Sequence, residues 1–380
     1  MSLHLSAETE SRYDRQERIT WWDQDVLRTS RVLVVGAGAL GNELVKNLVL
    51  LGIGEVTVLD LDTVEESNLS RCVFFRADDT NGAKADVVAE RATELNSDVK
   101  VTGRRTDVMA LGVGWFADFD LILGGLDNRE ARAWVNQVAR KLGLTWIDGA
   151  IEGLRGVVRV FPPTGACYEC TLSAVDREIL AKRQSCALLT SEEIHAGKVP
   201  TTASSASLVA AMQVQEAVKV LHGRDDLVAL SNRSFMYMGD TMDTWVAEHD
   251  EDEHCLAHDT YGALVPIPVS CSTTLADLVA GHADGPDVVA IDFERDLVVS
   301  ARCSACETEW DVRRAVTSLS AEDVRCTNCA EMPALEARRS VAPDETLATL
   351  PLVDLGLPVD DVITLRTTTS RTHHRLGFTC

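Results

Sequence analysis

The chain has 380 residues, 46% hydrophobic and 25% charged, which is typical of a globular protein with one large domain and a smaller one. Its formal net charge of −23 repels phosphate backbones and anionic lipids, so nucleic acid and membrane surfaces are excluded as first candidates for a partner. The N-terminus lacks a secretory signal, and polar residues interrupt the apolar stretch Ala203–Leu221 as in a half-buried helix. We therefore expect a cytoplasmic protein.

The first elements predict a nucleotide-binding βαβ unit. An apolar run at 31–35 predicts a strand that ends in a glycine string, and residues 42–51 have helical spacing. A second strand at 55–59 ends at Asp60. The three spaced glycines, Gly36, Gly38 and Gly41, permit a tight turn and the close approach of a phosphate to a helix N-terminus.

The following elements extend this unit into a sheet. Further strands are predicted at 99–103, 120–123, 145–147 and 157–161, with helices at 83–95 and 129–142 between them. This order indicates a doubly wound, mostly parallel, Rossmann-like α/β sheet, with a ligand crevice at the carboxyl ends of its strands. Past residue 261 the pattern changes to short β-like runs, at 288–293 and 297–301. We place a boundary near 260, between a domain at 1–260 and a smaller, β-rich domain at 261–380.

Polar residues at or soon after the predicted strand ends favour ATP as the nucleotide. The glycines and Asp60 alone would suit a dinucleotide dehydrogenase equally well. The additional residues are Asp62, Asn68, Arg71, Lys84 and Asp127. Two cations and an amide suit a triphosphate better than a dinucleotide, whose pyrophosphate needs mainly backbone donors. Asp127 is placed to hold Mg²⁺ near the α-phosphate, because magnesium prefers one or two carboxylates plus phosphate oxygens.

The late cysteines have the spacing of a zinc ribbon. Two CxxC pairs, Cys303 with Cys306 and Cys326 with Cys329, are separated by 19 residues. Four thiolates in two such pairs bind tetrahedral Zn²⁺ in a closed, structural site without a position for catalysis. The β-rich domain is therefore predicted to fold around this metal and to present a partner surface.

Six motifs occur in an order that resembles a known family. They are YDRQ at 13–16, GAGALG at 36–41, LDLDTVEESNLSR at 59–71, GAKAD at 82–86, LDN at 126–128 and CYEC at 167–170. Together they resemble the ThiF/MoeB/HesA superfamily, the prokaryotic relatives of ubiquitin-activating enzymes. The resemblance covers residues 13–258 and implies an ATP-dependent adenylation domain.

The resemblance also implies roles for individual residues. Asp62 would bind the ribose, and Asp127 would hold the magnesium. Three residues would hold the phosphates: Asn68, Arg71 and Lys84. Arg15 would be an arginine finger that reaches the ATP of the neighbouring subunit in a homodimer. The chain departs from the family at Cys72, where a glutamine is common, and we expect Cys72 to be a small buried hydrophobic residue without a catalytic role.

A second structural zinc site is implied by the same resemblance. Cys167 and Cys170 need two more ligands, which similar enzymes supply from a CxxC pair after the long helix. The matching place here offers Cys255 and His258, and His249 or His254 are alternatives to His258. Unliganded thiols at a site that has lost its metal are the competing interpretation.

Cys186 is the candidate nucleophile. It lies in the connection from 176 to 202, which in similar enzymes crosses over the tail of the bound partner. The cations Lys182 and Arg183 would lower the pKa of its thiol. Some members of the superfamily carry there a cysteine that accepts the acyl group, whereas others only adenylate, so a loop cysteine without a role is the alternative.

These observations predict an adenylyltransferase. A small β-grasp, ubiquitin-like protein ending in Gly-Gly would be adenylated at its C-terminal glycine and passed to Cys186 as a thioester, within a bacterial conjugation pathway. The C-terminal zinc ribbon would then recruit a downstream carrier enzyme. The alternative is activation of a sulfur-carrier protein for thiamine, molybdopterin or cysteine synthesis.

Three other functions fit the sequence less well. An NAD-dependent oxidoreductase leaves Arg71, Lys84 and Asp127 unexplained. A non-catalytic half of a heterodimeric activating enzyme would have lost residues of the site, and all of them are present. A related dehydratase acting on tRNA is disfavoured by the acidic charge.

Overall fold

The computed structural model describes residues 11–173, 175–176 and 200–379. The α-helices in these residues are α1 (Gln24–Thr29), α2 (Ala39–Leu51), α3 (Lys84–Leu95), α4 (Arg129–Leu142), α5 (Ala203–Leu221), α6 (Leu275–Gly281) and α7 (Ala321–Val324). The strands of a first sheet are β1 (Arg31–Val35), β2 (Glu55–Asp60), β3 (Lys100–Arg105), β4 (Leu121–Gly124), β5 (Thr145–Glu152), β6 (Arg155–Phe161), β7 (Arg233–Met238) and β8 (Asp243–Glu248). Those of a second sheet are β9 (Leu264–Val269), β10 (Ala290–Arg302), β11 (Glu309–Ala315), β12 (Ala334–Val341), β13 (Val362–Arg366) and β14 (Arg371–Phe378).

The first sheet has the strand order β3-β2-β1-β4-β5-β6-β7-β8. Its first five strands in that order are parallel, and β6, β7 and β8 extend it antiparallel. The chain order reverses between β1 and β4. In open α/β sheets such a switch point opens a ligand crevice at the carboxyl ends of the strands. The predicted doubly wound, mostly parallel sheet is therefore confirmed.

Both faces of the first sheet are covered by helices. Along β1, Val32 and Val34 belong to the hydrophobic core that contains residues of α2, α3 and α5, whereas Leu33 and Val35 belong to the core beneath α4. Successive residues of a strand point to opposite faces, so two buried faces require a continuously apolar strand. This is why β1 could be recognised from its sequence.

Helix α5 is the longest helix described, with 19 residues. Its buried face includes the polar residues Ser205, Gln213 and Glu216. Gln213 donates hydrogen bonds to the carbonyl oxygens of Gly124 (2.9 Å) and Ile147 (3.2 Å), on β4 and β5. No helix in the described part of the chain combines the length and apolar character needed to cross a membrane.

The second sheet has the order β11-β10-β13-β14-β9, and β12 pairs with β10. The predicted β-like runs at 288–293 and 297–301 are both extended, but they form one strand, β10, whose pairing is irregular between Asp292 and Leu297. The polar residues between the runs resemble a turn. Arg295 among them is instead buried, because it faces the first sheet's helices and loops. The β-rich character of this part of the chain is confirmed.

Candidate nucleotide site and cysteine clusters

The glycine loop, the string at 36–41 that joins β1 to the first turn of α2, has no room for a Cβ atom at two positions. Gly36 has φ +100°, and a Cβ atom there would lie 2.6 Å from the Gly125 carbonyl oxygen. A Cβ atom on Gly41 would collide with the Gly36 carbonyl. Gly38 differs, because a Cβ atom there would meet nothing within 4 Å. Gly38 is the N-cap of α2 and offers it no side-chain cap, so the helix N-terminus faces open space that suits an anion.

Asp60 fixes this loop from the end of β2. One carboxylate oxygen accepts a hydrogen bond from the Ala37 amide at 2.6 Å, and the other accepts one from the Asp62 amide at 2.8 Å. Burial raises the pKa of Asp60, although nearby Lys84 opposes the rise. Asp60, which was predicted to bind the nucleotide, thus lies beneath the loop, where its carboxylate accepts hydrogen bonds from backbone amides.

Asn42, which was not predicted as a site residue, fixes the loop from the other side. Its fully buried amide donates to the Ala37 carbonyl at 2.8 Å and accepts from the Phe74 amide at 3.0 Å. The loop is therefore tied to the segment that follows Arg71. An asparagine in the first turn of a helix after a glycine string is the only sequence signal, because its partner lies 32 residues away.

Lys84 and Asp62 form an ion pair beside the loop. The Lys84 ammonium lies 2.7 Å from an Asp62 carboxylate oxygen, and the lysine side chain is only 12% exposed. Burial disfavours the charged ammonium, but Asp60 and the hydrogen bond with Asp62 together raise the pKa of Lys84. A half-buried lysine that stays charged at this place can neutralise a phosphate.

Asn68 and Arg71 lie on the short segment after β2. Asn68 is buried and accepts a hydrogen bond from the Glu65 amide at 2.9 Å, which closes a turn of 3₁₀ helix. Arg71 donates to the Ser67 carbonyl at 2.5 Å. Cys72 is buried, and burial raises the pKa of its thiol to about 11, so it remains an uncharged thiol as expected.

Asp127 is exposed at the carboxyl end of β4. The next residue, Asn128, caps α4 by accepting a hydrogen bond from the Ala131 amide at 2.7 Å. Asp127 therefore lies between a strand end and a helix N-terminus, on the far side of the switch point from Asp60. An exposed carboxylate in this position fits a magnesium ligand.

A buried ion-pair cluster behind Asp127 was not predicted. Arg132 of α4 donates to the Leu126 carbonyl at 2.5 Å and to the fully buried Asp148 at 3.1 Å. Arg159 of β6 lies 2.7 Å from the other oxygen of Asp148. Because Leu126 directly precedes Asp127, the cluster positions the magnesium candidate. Its members lie on three elements, so only the fold brings them together.

Arg15 is exposed and lies outside this group. The nearby Tyr13 is buried, and its hydroxyl accepts a hydrogen bond from Asn96 at 3.0 Å, which anchors the N-terminal turn. Among the residues the structure covers, Arg15 makes no hydrogen bond or ion pair. An exposed arginine on an anchored turn fits a role toward a second subunit.

The first cysteine cluster joins two distant segments. Cys167 lies 3.7 Å from Cys170 and 3.7 Å from Cys255 between sulfur atoms, and Cys170 lies 3.2 Å from Nε2 of His258. Sulfur atoms around tetrahedral zinc, each about 2.3 Å from the metal, are about 3.8 Å apart. The donor set thus fits the metal. His249 instead hydrogen-bonds to Ser234 at 2.6 Å, which favours His258 among the alternatives.

The second cluster contains all four cysteines of the predicted ribbon. The sulfur atoms of Cys303 and Cys329 lie 3.4 Å apart, and those of Cys306 and Cys326 lie 3.5 Å apart. In each cluster the ligand atoms lie within 4.8 Å of one another. Both clusters therefore have the geometry to hold a metal. Cys186, the predicted nucleophile, lies outside the described residues.

Comparison with known proteins agrees with this geometry. A family model described as "ThiF family" matches residues 13–257. A yeast protein named "Ubiquitin-activating enzyme E1-like" is 36% identical over 148 residues, which cover 38% of this chain and 23% of that protein. The NEDD8-activating enzyme E1 catalytic subunit of Caenorhabditis elegans is 36% identical over 162 residues, which cover 39% and 38%. The chain thus spans well under half the length of these relatives.

Solved structures have a similar fold. Escherichia coli MccB with ATP matches with a TM-score of 0.55 and 20% identity, covering 67% of this chain and 75% of MccB. PaaA matches with a TM-score of 0.51 and 20% identity, covering 66% and 76%. At this identity the likeness concerns the fold.

Proposed function

Because the chain belongs to the ThiF family, we propose that it is an ATP-dependent adenylyltransferase that activates the C-terminal glycine of a small ubiquitin-like protein. One observation carries the proposal. The glycine loop faces open space at the N-terminus of α2, with the half-buried Lys84 on one side and the exposed Asp127 at the next strand end. Positive charge on one side and a carboxylate on the other suit a triphosphate with its magnesium.

The names of the relatives support this class of partner. They include activating enzymes for ubiquitin-like proteins, namely SUMO in Dictyostelium discoideum and NEDD8 in Caenorhabditis elegans. The solved MccB structures include one with ATP and one in complex with N-formylated MccA. ATP and a partner whose C-terminus enters the crevice are therefore the substrates we propose, and we retain the predicted β-grasp protein ending in Gly-Gly.

The reaction follows from the charges around the loop. An oxygen of the partner's terminal carboxylate forms a bond to the α-phosphorus, the bond to the β-phosphate oxygen breaks, and pyrophosphate leaves. Lys84, Arg71 and Asn68 bind the phosphates, and Asp62 binds the ribose. Asp127 would hold Mg²⁺, which supplies positive charge at the α-phosphate. The protein contributes position and charge, as expected for transfer at phosphorus.

The two cysteine clusters would each hold one structural Zn²⁺. Four protein ligands close the coordination sphere, so neither metal takes part in the reaction. The first zinc would bind the turn at 167–170 to the segment at 255–258, and the second would hold the tip of the second sheet. We propose the first unit, 1–260, as the adenylation domain and 261–380 as a partner-binding domain, which would recruit a downstream carrier enzyme.

The first experiment measures ATP–pyrophosphate exchange with candidate proteins ending in Gly-Gly. The variants are Asp127→Ala and Cys186→Ala, with Glu90→Ala as a control that removes an exposed carboxylate from α3. We expect Asp127→Ala to lower exchange at least about a hundredfold, since it removes charge control at the reacting phosphate. Glu90→Ala and Cys186→Ala retain exchange.

A non-reducing gel follows the activated glycine in the same samples. A thiol-sensitive adduct that requires Cys186 supports thioester transfer and a conjugation pathway. A thiocarboxylate on the partner's C-terminal glycine, formed with release of AMP when a sulfur donor is supplied, would instead indicate the sulfur-carrier branch. Exchange without any adduct would leave an enzyme that only adenylates. If the unaltered chain neither exchanges pyrophosphate nor binds ATP, the proposed function is wrong.

A further inference from the structure

The segment at 106–114 leaves the first sheet at the edge where the nucleotide is proposed to bind. It follows β3, which runs parallel to β2, so both strands end at the same edge. Arg105, the last residue of β3, donates a hydrogen bond to the Leu61 carbonyl at 3.3 Å, between Asp60 and Asp62. The base of a nucleotide adjoins its ribose, so with the ribose at Asp62, as proposed, this segment would lie next to the base. We refer to residues 106–114 as the wall segment.

A side chain from the second sheet holds this wall segment. Arg295 of β10 donates to the Met109 carbonyl at 3.2 Å and to the Leu111 carbonyl at 3.1 Å. The centre of its guanidinium also lies 5.4 Å from the ring of Trp134 in α4. Arg295 therefore contacts both the wall segment and the helix that follows Asp127.

Asp361 completes the contact from the start of β13. It accepts two hydrogen bonds from Arg295, at 2.8 Å and 3.0 Å, and a third from the Val113 amide at 3.2 Å. The side chains of Arg295 and Asp361 are 2% and 1% exposed. A Cβ atom on Gly112 would collide with the backbone of Asp361. The wall segment and the segment before β13 therefore approach each other as closely as glycine permits.

The contact of Arg295 with Asp361 and the wall segment fixes geometry more than it adds stability. A buried ion pair gains little stability over apolar residues of the same volume, because both charges lose their hydration. It does restrict geometry, since a planar guanidinium donates in fixed directions. The Arg295 guanidinium donates in these directions to two carbonyls of the wall segment and to the Asp361 carboxylate.

We propose that Arg295 is a positioning residue for the nucleotide site, through which the C-terminal unit sets the affinity for ATP. It holds Met109 and Leu111 in the place where the wall segment adjoins the base. A partner or ligand that shifts β10 then changes ATP binding. The inference rests on the proposed function, because it assumes that ATP occupies the crevice.

The test compares Arg295→Met with a matched variant of the same sheet. Arg366 makes a two-point ion pair with Asp292, at 2.8 Å and 3.2 Å, within the second sheet. Arg366→Met therefore removes a two-point pair from the same sheet, more exposed than that of Arg295, without touching the wall segment. Calorimetry with the full chain gives the dissociation constant for ATP, and pyrophosphate exchange gives KM and kcat.

We expect Arg295→Met to raise the dissociation constant and the KM for ATP about tenfold, while kcat at saturating ATP changes little. Arg366→Met leaves ATP binding unchanged. Arg295→Lys keeps a cation beside Asp361 but cannot reach both carbonyls, so it gives a smaller rise and still reports if the methionine variant does not fold. Equal ATP affinity in all variants, or an equal loss in Arg295→Met and Arg366→Met, would overturn the inference. A wild-type chain that does not bind ATP would overturn the proposed function itself.

Discussion

Asp60 is an acidic residue at the end of the second strand, in the position where a dinucleotide-binding protein holds its ribose. Here both of its oxygens accept hydrogen bonds from backbone amides, those of Ala37 at 2.6 Å and Asp62 at 2.8 Å. The acidic residue two positions later, Asp62, pairs with Lys84 beside the glycine loop. At this strand end, one carboxylate shapes the loop and the next forms an ion pair beside it.

Asp60→Asn should weaken both the loop and ATP binding. An amide presents only one oxygen, so one of the two backbone amides would face an NH₂ group and lose its acceptor. We expect a loss of about 1–3 kcal/mol in the free energy of unfolding, measured by chemical denaturation, and a higher dissociation constant for ATP.

Asp120→Asn is the matched control for this change. Asp120 accepts a single backbone hydrogen bond, from the Arg31 amide at 2.7 Å, at the opposite edge of the sheet. An asparagine can satisfy that amide, so ATP affinity should stay unchanged. Equal effects of the two substitutions would contradict the role of Asp60 in the loop.

At the scale of elements, the two cysteine clusters hold turns that their own secondary structure does not stabilise. Cys303 and Cys326 are buried, whereas the rest of the second cluster lies on exposed or half-buried turns. A metal bound in each cluster would therefore replace the apolar core that such turns lack.

Metal analysis of the purified full chain should find about two zinc ions per chain, and Cys306→Ser or Cys170→Ser should each remove about one. We expect Cys306→Ser to increase proteolysis at the tip of the second sheet, near β11 and β12. Cys72→Ala, which changes a buried thiol outside both clusters, serves as the control. The ribbon assignment fails if Cys306→Ser keeps the full metal content.

We expect His374 to make the second sheet sensitive to acid. It is buried on β14, and burial together with His282 and His373 lowers its pKa to about 4, from an ordinary 6.5. Between these two values the unfolded chain binds a proton that the folded chain does not. The destabilisation caused by His374 is therefore absent above about pH 6.5. Below that pH the free energy of unfolding falls as pH decreases toward 4.

At about pH 5 the imidazole of His374 should lower the free energy of unfolding by roughly 2 kcal/mol relative to pH 7.5. Thermal unfolding of the wild type and of His374→Gln across this range measures the effect. We expect the midpoint of the variant to depend less on pH. Parallel curves for the two proteins would show that His374 does not contribute.

At the scale of the whole molecule, the position of Arg15 bears on whether two chains form a homodimer. Tyr13 anchors the N-terminal turn, and Arg15 is exposed on it without an ion-pair partner among the described residues. Arg15 lies outside the group of predicted site residues around Lys84 and Asp127. We therefore retain the predicted homodimer as a proposal, with Arg15 acting on the partner's ATP.

Mixing two inactive variants tests this arrangement. Arg15→Ala and Asp127→Ala should each lose pyrophosphate exchange. After the two proteins exchange subunits at equal amounts, half of the dimers are mixed and each has one intact site, so about a quarter of the wild-type activity should return. No recovery, with mixed dimers demonstrated by mass spectrometry, would place Arg15 in its own subunit's site.

Much of the first sheet could be predicted because its signals are local. The bounds of α4 and α5 agree with the prediction, and the glycine string correctly located the loop, although α2 begins at Ala39, three residues earlier than expected. The antiparallel strands β7 and β8 were missed. Every residue of β8 except Ala247 is exposed, so the strand has no alternation of apolar and polar residues. The roles assigned to individual site residues remain predictions.

The sequence alone determined the family, the nucleotide loop and the cysteine pairs, because each is a pattern within a few residues or a fixed spacing. Only the tertiary structure decided which distant groups meet. It selected His258 over His249 and brought Arg132 to Asp148 and Arg295 to Asp361. Such pairs depend on how strands and helices pack, and a single charged residue in a sequence looks the same whether it faces solvent or a buried partner.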